Sequence, residues 1–285
     1  MTIAAHTVRL VLGIALAGGA ATFAAPGASG SEEVKLDPHR AVYDLKLARA
    51  TGGQRTVAAV RGRILYDFSG SVCEGYGLNF RQVSEIDSGE GKTALSDLRA
   101  TSWEEGAAKS LRFTSQNYLN QDVVTDVEGK AERKPGGIEV AITKPENKKF
   151  DLPGDLVFPT DHMRRVIVAA RAGKTILEFP VYDGSETGEK VFNTLTVIGQ
   201  PIKPDEKKPT DASAGLAPLA NMLRWPVTIS YFERTGKEGE QTPIYSITFE
   251  LFENGISRAL TLDYGDFVIA GELTQLDLKE AKPCP

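Results

Sequence analysis

Few side chains in this sequence combine the residue type and the spacing that catalysis or metal binding requires. The two cysteines, Cys73 and Cys284, lie far apart, and so do the two histidines that follow the N-terminal segment, His39 and His162. No cluster of histidine, cysteine and aspartate has the spacing of metal ligands. The sequence also lacks a nucleophile elbow, a phosphate-binding P-loop and a dinucleotide-binding glycine motif. It therefore predicts neither an enzyme nor a bound metal or cofactor.

The remaining candidates for chemistry have simpler structural interpretations. Asp263 and Asp266 are the nearest approach to a paired-acid site, but they flank a turn between two predicted strands, where solvated carboxylates are expected. We expect His162 to hydrogen-bond a strand end, because no nucleophile is coupled to it by spacing. Trp103 and Trp225 are expected to pack in the core or at its rim.

The first 28 residues have the parts of a secretory signal peptide. Arg9 is the only charged side chain among them, an apolar stretch follows it, and alanines and glycines lead out of that stretch. A retained membrane anchor would need about 20 strongly apolar residues, which Gly13, Gly18 and the alanines interrupt. We therefore predict export to the periplasm and cleavage near residue 28, and a mature chain without a transmembrane segment.

Export changes the interpretation of the two cysteines. In an oxidising compartment an exported protein seldom leaves two thiols reduced, so Cys73 and Cys284 are predicted to form a disulfide. The alternative is a pair of unrelated thiols. After the signal peptide the chain is long enough to bury a sizeable core, so the bridge would reinforce the fold and not create it.

The charge balance argues against nucleic acid as a partner. The chain carries 33 lysines and arginines against 38 aspartates and glutamates, for a net charge of −5. Binding to phosphates requires clustered lysine and arginine, and the sequence has no such basic stripe.

The elements that must position these residues are mainly strands. Alternation such as Ala41, Tyr43 and Leu45 on one face predicts strands with one buried face, about 12 to 14 of them in an antiparallel arrangement. The clearest hairpin is predicted to turn at Asn254-Gly255 through a two-residue turn.

One segment has helical periodicity instead. From Thr160 the residues Met163, Val166 and Ile167 fall on one face of a helix, which Thr160 can cap and Gly173 can end. The apolar face of this helix must be buried, most simply against a curved sheet. Residues 201–218 are predicted to form a mobile surface loop, and residues 29–285 a single domain.

Several stretches resemble a known family. They are HRAVYDLKL from His39, ILYDFSGSVCEGYGLNFR from Ile64, FPTDHMRRVIVAARAG from Phe158 and WPVTISYF from Trp225. They look like the EipB-like family of alphaproteobacterial periplasmic cell envelope integrity proteins, in collinear order over essentially the whole mature chain. The resemblance implies one β-spiral or open barrel-like sheet with a helix on its concave side, and a disulfide between the positions of Cys73 and Cys284. It also implies a functional association with a periplasmic tetratricopeptide-repeat protein, and a shape similar to lipoprotein carriers. It transfers no catalytic residues.

Two function classes follow. The first is a non-enzymatic periplasmic factor that maintains envelope integrity through protein partners. The second is a carrier that binds a lipid or a lipoprotein acyl chain in the concavity of the sheet, with the helix as a movable cover; likeness of fold alone is a weak basis for it. A continuous apolar hollow would favour the carrier, whereas a filled core would favour docking.

Overall fold

The computed structural model describes residues 34–50, 57–89, 91–234, 242–280 and 284. The predicted signal peptide lies outside this range, and the predicted domain, residues 29–285, extends beyond it at both ends. The described residues belong to one compact unit.

Within the described part of the chain, fourteen strands form one antiparallel sheet, which confirms the predicted fold class. The sheet order runs from β8 down to β1 and then from β14 down to β9. Each half is therefore a meander of hairpins, and the two halves join where β1 pairs with β14. The strands are β1 (His39–Ala50), β2 (Ala59–Ser71), β3 (Gly75–Asp87), β4 (Thr93–Glu104), β5 (Ser110–Leu119), β6 (Asp122–Lys134), β7 (Gly137–Lys144), β8 (Lys148–Pro153), β9 (Ile176–Val181), β10 (Phe192–Ile198), β11 (Arg224–Glu233), β12 (Tyr245–Phe252), β13 (Ser257–Asp263) and β14 (Phe267–Leu278).

The turn between β12 and β13 is longer than predicted. β12 ends at Phe252 and β13 begins at Ser257, and only Gly255 in between has a positive φ, of 88°. The Asn254 side chain donates a hydrogen bond to Asp37 (3.0 Å), and its carbonyl oxygen accepts one from the N–H of Ile256 (3.3 Å). The prediction of a two-residue turn was wrong. Local turn preferences depend only on neighbouring residues, whereas Asn254 is held by Asp37, which is distant in the chain.

The one α-helix of the described residues, α1 (Pro159–Arg171), connects β8 to β9. It ends as predicted, with Arg171 in its last turn and Gly173 at a φ of 72°. Its start differs from the prediction. Thr160 lies inside the first turn, and the N-cap is Phe158, which has no capping side chain. The caps come from β4, where the Glu104 carboxylate accepts the N–H groups of Thr160 (2.7 Å) and Asp161 (2.8 Å).

The apolar stripe of α1 fills the inner face of the sheet. Val166 and Ile167 are fully buried in a core cluster with side chains of β1, β2 and β11 to β14. Burying side chains of this size contributes about 1.5–3 kcal/mol each. A second cluster lies under β5, β6 and β7 and includes Phe158, immediately before the helix. The helix is therefore part of the core on the concave side of the sheet.

A buried group of charged side chains ties the segment before β11 to the sheet. Asp211 accepts a hydrogen bond from Arg258 on β13 (2.6 Å), and Arg224 on β11 donates to Glu250 on β12 (2.7 Å). The side chains of Arg258 and Glu250 also pair with each other. The mobility of residues 201–218 stays a prediction, and Asp211 gives this segment a defined attachment.

Candidate functional site

A cavity of about 210 Å³ lies between the first turn of α1 and the sheet. Its walls come from elements that are far apart in the chain: His39 on β1, Tyr66 on β2, His162 on α1 and Tyr231 on β11. The two histidines that showed no relation in the sequence therefore line one cavity. Only the pairing of β1 with β14, which joins the two meanders, makes this possible.

The imidazole of His162 is buried at the wall of this cavity. Only 4% of its surface is exposed, and no described residue hydrogen-bonds its Nε2 atom. Its ring meets the Phe179 ring edge-on, with 5.8 Å between centroids. Burial lowers the pKa of His162 to about 4, against the opposing effect of the Asp161 charge. The hydrogen bond that we expected from His162 to a strand end is absent among the described residues, where its ring packs edge-on against Phe179 instead.

His39 is held in place more firmly. Its Nδ1 lies 2.8 Å from the backbone oxygen of Asp37, and its ring stacks on Tyr66 at a centroid distance of 5.5 Å. Burial lowers the pKa of His39, so its neutral form is favoured.

Burial also shifts the pKa values of the acidic groups in the cavity in the direction that favours their neutral forms. Burial raises the pKa of Tyr66 to about 12, and it raises the pKa of Tyr231 as well, which the nearby Asp183 charge reinforces. Burial likewise raises the pKa of Asp183, although this carboxylate accepts a hydrogen bond from the N–H of Ser185 (2.9 Å). The cavity is therefore polar in places but carries little charge.

Glu104 lies behind the cavity at the positive end of the helix dipole. Burial raises the pKa of this carboxyl to about 7, and the N–H groups of Thr160 and Asp161 oppose the rise. A carboxyl in this position stabilises the start of α1 and so fixes the wall of the cavity.

This arrangement can bind but offers no evident reaction path. No serine, threonine or cysteine is hydrogen-bonded to either histidine among the contacts of the described residues, so no activated nucleophile is formed there. The described part of the chain also contains no group of three or more histidine, cysteine or carboxylate side chains placed to hold a metal ion.

The two cysteines lie in a different place. Cys73 follows β2, and Cys284 lies beyond the end of β14; a disulfide joins them with a Cα–Cα distance of 5.7 Å. The bridge connects the C-terminal tail to the turn between β2 and β3. Nearby, Lys279 forms an ion pair with Asp67 on β2.

The other residues considered from the sequence have structural roles. Asp263 ends β13, accepts a hydrogen bond from the N–H of Gly265 (2.8 Å) and lies 3.9 Å from Arg49. The turn between β13 and β14 is therefore as predicted. Trp225 is 2% exposed and belongs to the core.

A larger cleft of about 430 Å³ opens at the surface across β3 to β7. Trp103 and Arg112 line it, with the guanidinium of Arg112 stacked over the Trp103 ring at 5.1 Å. Lys130 and Glu128 contribute charge to the same walls. A glycine makes room for the indole, since a Cβ atom at Gly75 would come within 2.6 Å of the Trp103 ring.

Among the described residues, no helix is both long and apolar enough to cross a bilayer.

Comparison with known proteins identifies the family. The family model described as EipB-like matches residues 31–280. The cell envelope integrity protein EipB of Brucella abortus (strain 2308) is 37% identical over 274 residues, which is 95% of each chain. The crystal structure of a β-barrel-like protein of a domain of unknown function, from Brucella abortus, matches with a TM-score of 0.79 and 36% identity over 87% of this chain and 100% of that one. The chain therefore belongs to the EipB-like family, and this homology supports a role in cell envelope integrity.

Proposed function

We propose that this protein is a non-enzymatic periplasmic factor that maintains cell envelope integrity by docking protein partners. One observation carries the proposal: α1 fills the concave side of the sheet. Val166 and Ile167 are fully buried against the surrounding strands. An interior occupied in this way leaves the outer surface as the place where a large partner can bind.

The carrier alternative requires room that this interior does not offer. Pockets that enclose drug-sized ligands measure about 300–1,000 Å³. The cavity beside α1 measures about 210 Å³, and both aromatic and polar side chains line it. To accept an acyl chain, α1 would have to leave the core, which would expose Val166 and Ile167 and release the Glu104 contacts.

The surface cleft suits a protein partner better. Tryptophan and arginine are enriched among the residues that dominate binding energy at interfaces, and here Trp103 and Arg112 are stacked together at the cleft. The partner class that the family resemblance implies is a periplasmic tetratricopeptide-repeat protein. Such repeats form extended concave surfaces that accept protein ligands.

Site-specific photo-crosslinking in intact cells tests the docking proposal. A photoreactive residue replaces Arg112 in the cleft, and a matched one replaces Lys46, whose side chain is 71% exposed on β1. We expect a discrete protein adduct from position 112, lost in a Trp103→Ala background, and none from position 46. Equal labelling at both positions, or none at 112, would contradict docking at this cleft.

Native mass spectrometry of protein released from the periplasm without detergent separates the two functions. We expect no acylated adduct. A stoichiometric lipid or acylated peptide that dissociates on solvent extraction would favour the carrier and identify α1 as its cover.

A further inference from the structure

We propose that the cavity beneath the first turn of α1 is a binding site for a small, uncharged amphipathic molecule with a flat body and one hydrogen-bonding end. This site is separate from the surface cleft, and the inference does not depend on partner docking.

The size of the cavity sets the size of the ligand. An engineered protein cavity of about 150 Å³ binds benzene. At about 210 Å³, this cavity has room for a ring of that size and a polar substituent. The same volume is too small for an acyl lipid.

The walls select a flat body. On one side the rings of His39, Tyr66 and Phe68 follow one another, with centroid distances of 5.5 Å from His39 to Tyr66 and 6.3 Å from Tyr66 to Phe68. The Tyr66 ring is nearly parallel to both neighbours, at interplanar angles of 23° and 22°. Met163 from α1 and Ile229 from β11 contribute aliphatic surface to the same cavity. Aromatic and aliphatic walls of this kind favour stacking and apolar contact.

Three polar groups of the cavity have no hydrogen-bond partner among the described residues. Tyr66 and Tyr231 both line it, and neither phenol hydroxyl hydrogen-bonds another described residue. His162, which is 96% buried, has an unpartnered Nε2 as well. Buried polar groups in folded proteins are nearly always paired, so the buried, unpaired Nε2 of His162 indicates a partner from outside the described residues. The two half-buried phenol hydroxyls beside it are free to hydrogen-bond the same ligand. One polar end on the ligand would provide that partner.

The walls of the cavity favour a neutral ligand over an ion. Burial favours the neutral forms of His39, His162 and Asp183, as it does for the two phenols. Two acidic side chains beside the cavity already have partners: Asp161 pairs with Arg165 (2.9 Å), and Glu104 accepts the N–H groups of Thr160 and Asp161. Desolvation costs a charged ligand far more than a neutral one, and these groups offer the charged ligand no unpaired opposite charge in return.

Three probes of nearly identical shape test this inference directly. Benzamide is neutral, benzoate is an anion and benzamidinium is a cation. Each is titrated at pH 6 into the isotope-labelled full mature chain while backbone amide chemical shifts are followed. We expect benzamide to bind saturably, with a Kd of about 10 mM or tighter, and to shift residues of α1 and β11 that line the cavity. The two ions should bind at least about tenfold more weakly.

Substitutions of single tyrosines test whether benzamide binds in this cavity. Tyr66→Phe and Tyr231→Phe each remove a hydroxyl that makes no hydrogen bond to a described residue, so both should fold with an unchanged thermal midpoint. Each should weaken benzamide binding about threefold or more. The control Tyr118→Phe removes a phenol on β5, outside the cavity, and should leave binding unchanged. The proposal is overturned if benzamide does not saturate, if the three probes bind equally, or if Tyr118→Phe weakens binding as much as Tyr231→Phe.

Discussion

The carboxyl of Glu104 should make the stability of this protein depend on pH in a way that one substitution removes. Glu104 is 2% exposed, and its two oxygens accept the N–H groups of Thr160 and Asp161. Burial raises its pKa from the ordinary 4.5 to about 7. Glu104→Gln keeps the shape and one acceptor for the helix, but its side chain does not titrate.

The magnitude follows from proton linkage. A carboxyl whose folded-state pKa lies above its unfolded-state pKa binds protons more tightly in the folded state, so folding loses stability as the pH rises from about 4.5 to about 7. The shift of about 2.5 pH units in Glu104 corresponds to about 3 kcal/mol over the whole range. Between pH 5 and pH 8, about 2.5 kcal/mol of this should be observed.

Urea denaturation at pH 5 and pH 8 measures the effect. We expect the free energy of unfolding of Glu104→Gln, relative to the natural sequence, to increase by about 2.5 kcal/mol from pH 5 to pH 8. Other titrating groups, including His162, are common to both proteins and cancel in this difference. The neighbouring variant Glu105→Gln, which leaves the Thr160 and Asp161 contacts intact, serves as the control. A relative stability of Glu104→Gln that is constant or falls with pH would refute the reasoning, because the helix N–H groups would then outweigh burial.

Two further predictions concern the connections that hold the sheet together. Reducing the Cys73–Cys284 bridge, or replacing both cysteines by serine, should lower the thermal midpoint, because the bridge closes residues separated by 211 positions; the chain-entropy model gives a ceiling of about 5 kcal/mol. Two alkylatable thiols in the unfolded, unreduced protein would contradict this prediction, and a double variant with full stability but no envelope role would indicate a redox-sensing bridge. Arg258→Ala should destabilise the protein by about 3–5 kcal/mol in urea denaturation, because it leaves the buried carboxylates Asp211 and Glu250 without this partner. The exposed pair of Lys46 and Glu272 provides the contrast, since Lys46→Ala should cost at most about 1 kcal/mol, and equal losses for the two variants would contradict the argument.

The strands and the helix could be predicted because their signals are local. Alternation such as Ala41, Tyr43 and Leu45 reports which face of a strand is buried, and the structure buries all three. The spacing of Val166 and Ile167 identified α1 and its buried stripe in the same way. Errors occurred where a distant residue replaced a local one. Glu104 on β4 caps the helix in place of Thr160.

The cavity could not be predicted from the sequence, because its walls also come from residues that are distant in the chain. His39 and His162 were considered separately because their spacing gave no sign of proximity. They line one cavity because β1 and β14 are neighbours, which no local pattern encodes. A signal did exist in the residue types: a histidine in the first turn of an amphipathic helix is unusual enough to examine, but its burial without a partner is visible only in three dimensions.

The sequence by itself determined the fold class, the helix and the family, because periodicity and residue-by-residue similarity are properties of the chain and need no contacts. Only the tertiary structure decided which strands pack against α1, that Glu104 fixes the start of that helix, and that two histidines and two tyrosines share a small cavity. The physical reason is that burial, pKa shifts and unpaired polar groups depend on which distant segments meet. In this protein that was decided by the pairing of β1 with β14, the junction of two meanders that each follow local rules.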